Sequence, residues 1–321
     1  MDYVRWGILS TANIGVKHVI PAMQKSKRSK VTAISSRNPK RAGEIATQLG
    51  IQKSYGSYED LLADDEIDAI YNPLPNHLHV PLTMKALEAG KHVLCEKPIA
   101  MNLNEAEALL SKIKAFPNLK VMEAFMYRFH PQWEVVKKWI SDGEVGDIKT
   151  IHSVFTYYND DPENIRNKAG IGGGGLMDIG CYCISASRYL FEDEPIEVKG
   201  EVEIHPDFGT DVLASGILRF PEGTATFTCS TLASPNQKLT VYGTEGIIEM
   251  DIPFNPLENP ADLRLKKDGK MVKEKTTQAN HYTLQADAFT QAILNNTDVP
   301  TPIEDAVANM KVIDALLSHK K

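Results

Sequence analysis

The sequence predicts an α/β fold in two parts: an N-terminal doubly wound parallel sheet, and a C-terminal α+β domain with a large, open, mostly antiparallel sheet. Three observations carry that expectation. Short β-branched runs alternate with longer segments of helical period over residues 1–122, longer alternating runs replace them after residue 123, and the first strand ends in small residues that open a helix. A length of 321 residues suits two domains. The boundary is therefore expected between residues 1–122 and 123–321.

The expected strands of the first part are Val4 to Leu9, Val31 to Ser35, Ala69 to Asn72, His92 to Glu96 and Lys120 to Glu123, each short and bounded by turn residues or polar clusters. Helices fall between them. Pro39 to Leu49 places Ala42, Ile45, Ala46 and Leu49 at spacings of three and four ahead of Gly50, and Val80 to Ala89 repeats the pattern ahead of Gly90. Asn104, with Glu107 three residues on, is the expected cap of a helix running to Ala115. Pro21 falls inside the first crossover helix, Ile14 to Gln24, and demands a kink or a restart there. In the second part a helix is expected over Pro131 to Ile140. Alternating strands are expected at Ile148 to Tyr158, Glu197 to His205, Val212 to Phe220, Gly223 to Thr231 and Gln237 to Tyr242. His281 to Leu294 and Glu304 to Leu317 return to helical period.

Composition excludes several classes. With 42% hydrophobic and 24% charged residues the chain is neither disordered nor fibrous, and a net charge of −7 offers no broad attraction to nucleic acid. No apolar run approaches the ~18 residues of a membrane span, so a cytoplasmic address is expected and membrane association is not. Cys95, Cys181, Cys183 and Cys229 are too irregular for a disulfide framework or a zinc site and read as reduced packing residues.

Five segments carry candidate chemistry. Ser10-Thr11-Ala12-Asn13-Ile14-Gly15 stands where a Rossmann fold places its pyrophosphate turn, with Ser10 and Ala12 in place of two glycines; a tight structural turn is the alternative. At the end of the second strand, Ser36-Arg37 with Lys40 and Arg41 offers a hydroxyl and cations where an NAD-preferring site presents an acid, which favours NADP(H); a solvated helix start is the alternative. Pro73-Leu74-Pro75-Asn76 with His79, and Glu96-Lys97-Pro98, follow later strands and are expected to line the cofactor crevice. His77 and His79 lack a carboxylate or cysteine to complete a ligand set, so no metal is expected. Finally, a flexible glycine run, Gly172 to Gly175, precedes Asp178 and Tyr182, which lie four apart on one helical face. A phenol needs a nearby cation, such as Lys97, to act as a base near neutral pH, and an ordinary helix start is the alternative.

Together these segments resemble the Gfo/Idh/MocA oxidoreductases. The resemblance spans essentially the whole chain and rests on Glu96-Lys97-Pro98, Pro75-Asn76 with His79, the stretch from Glu123 to Pro131, the glycine run before Asp178 and Tyr182, and Tyr242-Gly243-Thr244-Glu245-Gly246. It implies a nicotinamide-binding domain and a substrate domain whose open sheet forms a homodimer or higher oligomer. It also implies Lys97 on the reacting oxygen, with a Lys97-Pro98 bond that is often cis, Tyr182 as general acid/base, and Asp178 positioning a substrate hydroxyl. Tyr at 182, where many members have His, resembles the branch of NADP-dependent xylose dehydrogenase, dihydrodiol dehydrogenase and glucose-fructose oxidoreductase. Arg128 and His130 are candidates for substrate contact, and Tyr157 to Asp161 are expected to crowd the pocket around a carbohydrate-like ligand. Competing functions are a non-catalytic nucleotide sensor on the same fold and a glycosidase-like relative that recycles NAD.

Overall fold

Residues 2–319 are described by a computed structural model. Strands β1 (Val4–Leu9), β2 (Ser29–Ser35), β3 (Lys53–Tyr55), β4 (Ala69–Asn72), β5 (His92–Cys95) and β6 (Val121–Glu123) pair in parallel in the order β3-β2-β1-β4-β5-β6. That order reverses between β1 and β4, the switch point at which open α/β sheets bind ligands. The doubly wound expectation is met. One strand escaped it: β3 is three residues long and only partly buried, too short and polar for an alternation to register.

The helices α1 (Ile20–Met23), α2 (Pro39–Leu49), α3 (Tyr58–Leu62), α4 (His79–Glu88) and α5 (Leu103–Ile113) connect these strands. Local chemistry explains α2: the Asn38 side chain accepts from the Arg41 amide at 3.1 Å, Pro39 starts the helix, and Gly50 ends it at φ 66°. The helix does not restart at Pro21. Residues 13–23 form one continuous helix whose middle is a π-helical turn, Gly15–Val19; the Ile20 amide reaches back five residues to the Gly15 carbonyl, and this widened turn, not a break, accommodates Pro21 just after it. Asn102, not Asn104, caps α5 by accepting from the Glu105 amide, so the helix starts two residues earlier than the sequence spacing suggested.

The second sheet contains β7 (Ile148–Tyr158), β8 (Glu197–Ile204), β9 (Asp211–Arg219), β10 (Thr224–Ser230), β11 (Leu232–Gly243), β12 (Ile247–Met250), β13 (Ala261–Lys267) and β14 (Lys270–Thr277), in the order β14-β13-β12-β11-β7-β10-β9-β8. Only β10 and β7 run parallel. Three strands, β12 to β14, were not expected; β14 is exposed along nearly its whole length and shows no alternation to read. Two helices of this part are α6 (Pro131–Ser141) and α7 (Cys181–Phe191), and α7 packs on β7 and β10 almost wholly buried. The opposite face of the sheet is open: Ile217 is 51% exposed, and His152 meets Tyr242 edge-to-face at 5.6 Å.

Two helices end the chain, α8 (His281–Asn295) and α9 (Ile303–Leu317). The compact units are Met1–Met126 with Asn280–Val307, and Tyr127–Ala279 with Ala308–Lys321, which differs from a single boundary after residue 122. Side-chain packing explains the return of α8 to the first unit. Phe289 lies 5.7 Å from Trp6, Thr290 shares a 2.8 Å hydrogen bond with Ser29, and Thr301 donates to the Glu123 carbonyl. All four cysteines are free and buried, and no helix among the described residues is long and apolar enough to cross a membrane.

Candidate active site

In the first unit the expected cofactor residues gather at the carboxyl ends of the strands. After β1, Ser10 adopts φ 72°, the left-handed region usually reserved for glycine, and its hydroxyl accepts from the Ala12 amide at 3.2 Å. Thr11, Ala12 and Ile14 are half-buried and Asn13 is exposed. A Cβ at Gly15 would touch the Tyr71 ring at 3.7 Å, so the helix start lies close against β4. Small residues thus form the turn without the two missing glycines.

At the end of β2, Ser36 is buried and accepts from the Asn38 amide, while Arg37, Lys40 and Arg41 are exposed. Lys40 and Arg41 approach Glu44 only at 4.0 and 3.9 Å. Burial raises the Tyr58 phenol, and the nearby positive charge of the Arg37 guanidinium offsets part of the rise. Tyr58, on α3, is a neighbour of Arg37 that the sequence reading missed.

The loops after β4 and β5 are tied together by His79. Its ring is buried, with one nitrogen 2.7 Å from the Pro98 carbonyl and the other 2.7 Å from the Leu74 carbonyl. Burial pushes the imidazole down to about 4, so near neutrality it carries one proton and donates to one carbonyl at a time. The ring therefore joins the Pro73–Asn76 loop to the Glu96-Lys97-Pro98 loop instead of facing outward. Asn72 supports the same loop: its amide donates to the His79 carbonyl, and its side-chain oxygen accepts from the Leu74 amide. Glu96 accepts from the Tyr71 hydroxyl at 2.7 Å, and Lys97 is half-buried. The Lys97–Pro98 peptide is cis. Pro75 and Asn76 lie half-buried, with Asn76 opening a 3₁₀ turn before α4.

In the second unit, Asp178 and Tyr182 lie on consecutive turns. Asp178 is on a π-helical turn, Leu176–Gly180, rather than on the expected α-helix, and Tyr182 follows in the first turn of α7. The Tyr182 ring is 5% exposed, with the rings of Tyr127, Phe155 and Phe254 centred 5.6–5.7 Å away. The Asp178 oxygen Oδ2 accepts from the Tyr157 hydroxyl and from Arg166 Nε, both at 2.7 Å. Burial and the Asp178 carboxylate push the Tyr157 phenol well up. The same carboxylate, with Tyr157 and Tyr182 nearby, outweighs burial and raises the Arg166 guanidinium.

Of the segment expected to crowd the pocket, only Tyr157 reaches this cluster. Strand alternation sends Tyr158 the other way; it is 60% exposed and donates to Asp160. Arg128 is engaged within the unit, donating to Ser185 at 2.7 Å and to Tyr127, and lying over the Tyr189 ring. His130 is fully buried at the cap of α6, and burial lowers it to about 4.

The glycine run is not the flexible tether that its composition suggested. The Gly173 amide donates to the Lys168 carbonyl and the Gly174 amide to the Arg166 carbonyl, while Asp211 accepts from the Leu176 amide at 2.6 Å. A Cβ on Gly173 would lie 2.5 Å from the Arg166 carbonyl oxygen, and Gly174 adopts φ 127° against the Asp211 carboxylate. Glycine is required here for close approach, which seats Arg166 beside Asp178.

Residues 4–123 match the oxidoreductase family with an NAD-binding Rossmann fold, and residues 133–249 match the GFO/IDH/MocA C-terminal domain. The chain is 38% identical over 314 residues to D-xylose 1-dehydrogenase (NADP(+)) 2 of Haloferax volcanii, covering 97% of this chain and 95% of that protein. It is 31% identical over 320 residues to the dTDP-3,4-didehydro-2,6-dideoxy-α-D-glucose 3-reductase of Actinomadura kijaniata, covering 98% and 94%. The crystal structure of the 3-ketoreductase KijD10 from that organism, in complex with NADP and TDP-benzene, superposes with a TM-score of 0.91 at 28% identity over 99% of this chain and 98% of that one. With both halves matched and relatives aligned along nearly its full length, the chain belongs to the Gfo/Idh/MocA family and is an NAD(P)-dependent oxidoreductase.

Proposed function

We propose that the protein moves a hydride between NADP(H) and a sugar, polyol or related alcohol or carbonyl, with Tyr182 as general acid/base and Lys97 as its cationic partner. The observation that carries this reading is the setting of Tyr182: a phenol enclosed by aromatic rings, one turn from a carboxylate that Tyr157 and Arg166 hold. Bound NADP(H) supplies or accepts the hydride at the nicotinamide. The turn from Ser10 to Ile14 fits the pyrophosphate, since small residues and helix-start amides leave room and donors for it. Ser36 and Arg37, with Lys40 and Arg41, fit a 2′-phosphate, because no acid stands among residues 36–41. Pro73, Leu74, Pro75, Asn76 and Glu96 shape the crevice, with His79 fixing it from behind.

During turnover Lys97 hydrogen-bonds the reacting oxygen, Tyr182 exchanges the proton with it, and Asp178 orients the substrate. Relatives named for D-xylose and for a keto-sugar nucleotide support a carbohydrate-like substrate, and the NADP in their names and complexes supports the cofactor. Self-association through the open sheet face around Ile217 completes the proposal; a monomer in sedimentation velocity would refute that part.

Titration with NADPH and NADH, read by tryptophan quenching, tests the cofactor assignment. Arg37→Ala is expected to weaken NADPH binding by about 10-fold or more and to leave NADH binding nearly unchanged, as for loss of a charge-assisted hydrogen bond. Tighter NADH binding by the unaltered protein would overturn it.

A further inference from the structure

We infer that Arg166 is a specificity-determining residue: its Nε holds Asp178 while its two terminal nitrogens hydrogen-bond a hydroxyl of a neutral, polyhydroxylated substrate, next to the oxygen that Tyr182 serves. This rests on the reaction proposed above and names the group that selects its substrate. Arg166 Nε donates to Asp178 at 2.7 Å, and among the described residues Nη1 and Nη2 have no hydrogen-bond partner. The side chain is nonetheless 43% exposed beside a carboxylate that is only 15% exposed, so the fork opens outward from a seated base. That base does not drift. The Arg166 amide donates to Asn164 Oδ1, its carbonyl accepts from the Gly174 amide, and the buried Asn167 next to it donates to the carbonyls of Asn159 and Asp161. Tyr157 fixes Asp178 from the other side, and Arg166 also lies within electrostatic reach of Tyr182.

Charge selects the class of ligand. Asp178 already neutralises Arg166, Lys168 is paired with Glu163, and Asp160 and Asp161 stand exposed in the same loop. A carboxylate or phosphate brought to the terminal nitrogens would find no net positive charge in the Arg166–Asp178 pair and would be repelled by the Asp178 carboxylate beside it. A hydroxyl brings no charge, and its oxygen accepts a charge-assisted bond from the guanidinium. The preferred partner is thus the hydroxyl adjacent to the reacting carbon of an aldose or polyol.

The test compares the unaltered protein with Arg166→Lys, which keeps a cation for Asp178 but removes the planar fork. Initial rates with the NADP couple are measured on the hydroxylated substrate turned over best and on its analogue deoxygenated next to the reacting carbon, D-glucose and 2-deoxy-D-glucose being the first pair. D-glucuronate serves as the anionic probe. We expect Arg166→Lys to raise KM for the hydroxylated substrate about 10-fold with kcat nearly kept, and to leave the deoxy analogue almost unaffected, since only the former loses a bond. Equal losses on both substrates, with a lowered Tm, would make Arg166 structural and overturn the inference. An unaltered protein that prefers the uronate would overturn the neutral class. If the unaltered protein turns over no alcohol or carbonyl with either nicotinamide, the reaction itself falls, an outcome distinct from normal turnover that ignores Arg166.

Discussion

Replacing Gly173 by alanine probes whether the glycine run is a clamp or a tether. The added methyl would lie 2.5 Å from the Arg166 carbonyl oxygen and 2.8 Å from that of Lys168, both backbone atoms that cannot swing aside. Relief requires the loop to move, which breaks the bonds from Gly173 to Lys168 and from Gly174 to Arg166. Overpacking costs about 1–3 kcal/mol and each net hydrogen bond about 1 kcal/mol, so a loss of about 2–4 kcal/mol is expected after partial relaxation. For a unit of this size that corresponds to a fall in Tm of about 5–15 °C. Gly170, three residues earlier, is the control: a Cβ there meets nothing within 4 Å and its φ is not positive. Gly170→Ala should leave Tm unchanged or raise it slightly, through a less flexible unfolded chain. Thermal unfolding of both variants, followed by kcat/KM at a temperature where both are folded, reads the outcome. Only Gly173→Ala should also lose activity, because it shifts the carbonyl that seats Arg166 on Asp178. Equal behaviour of the two variants would refute the clamp and restore the flexible reading.

Two further predictions concern proton transfer and acid stability. Tyr182→Phe and Lys97→Ala should each lower kcat by about 100-fold or more while the NADPH affinity of Tyr182→Phe stays near normal, and near-normal rates in both would remove the acid/base assignment. His92 is held neutral in the folded state: burial lowers it to about 4, and its Nδ1 accepts from the Lys120 amide at 2.9 Å, a bond that protonation abolishes. Its folded value lies below the unfolded value of about 6.5, so the unfolded chain binds the extra proton first and stability falls as pH drops from about 6.5 towards 4. His92→Asn should flatten that limb in a Tm-versus-pH series, and an unchanged slope would show that the ring titrates alike in both states.

The sequence was most legible where structure is local. The Asn38-Pro39 start and Gly50 stop of α2, the short, mostly apolar and buried runs of β1 and β4, and the length of β7 follow from residues within one element, and their boundaries agree with the spacing argument. Legibility failed where partners are distant. Strand β3 is stabilised by pairing with β2, and β14 by pairing with β13, so neither needs a strong pattern of its own. The placement of α8 depends on Trp6 and Ser29, more than 250 residues earlier in the chain, which no window over His281–Asn295 contains.

The candidate site divides along the same line. Residues proposed for the cofactor lie at strand ends, and alternation of strand and helix alone brings those ends together, so the shared placement of Ser10, Arg37, Asn76 and Lys97 could be read from the sequence. That of Arg166 and Tyr58 could not. Arg166 meets Asp178 across 12 positions of irregular chain, and Tyr58 meets Arg37 across a three-residue strand that was itself unseen. The glycine run shows why composition misleads in such places. Glycine widens the backbone conformations a segment can reach and narrows the space it occupies, and sequence alone does not say which property is in use. Here Gly172 and Gly174 use the first, at φ 84° and 127°, while Gly173 uses the second against the Arg166 carbonyl. A segment read as loose is thereby the part that fixes a charged side chain, and loop glycines should be judged by what a Cβ would meet before they are assigned mobility.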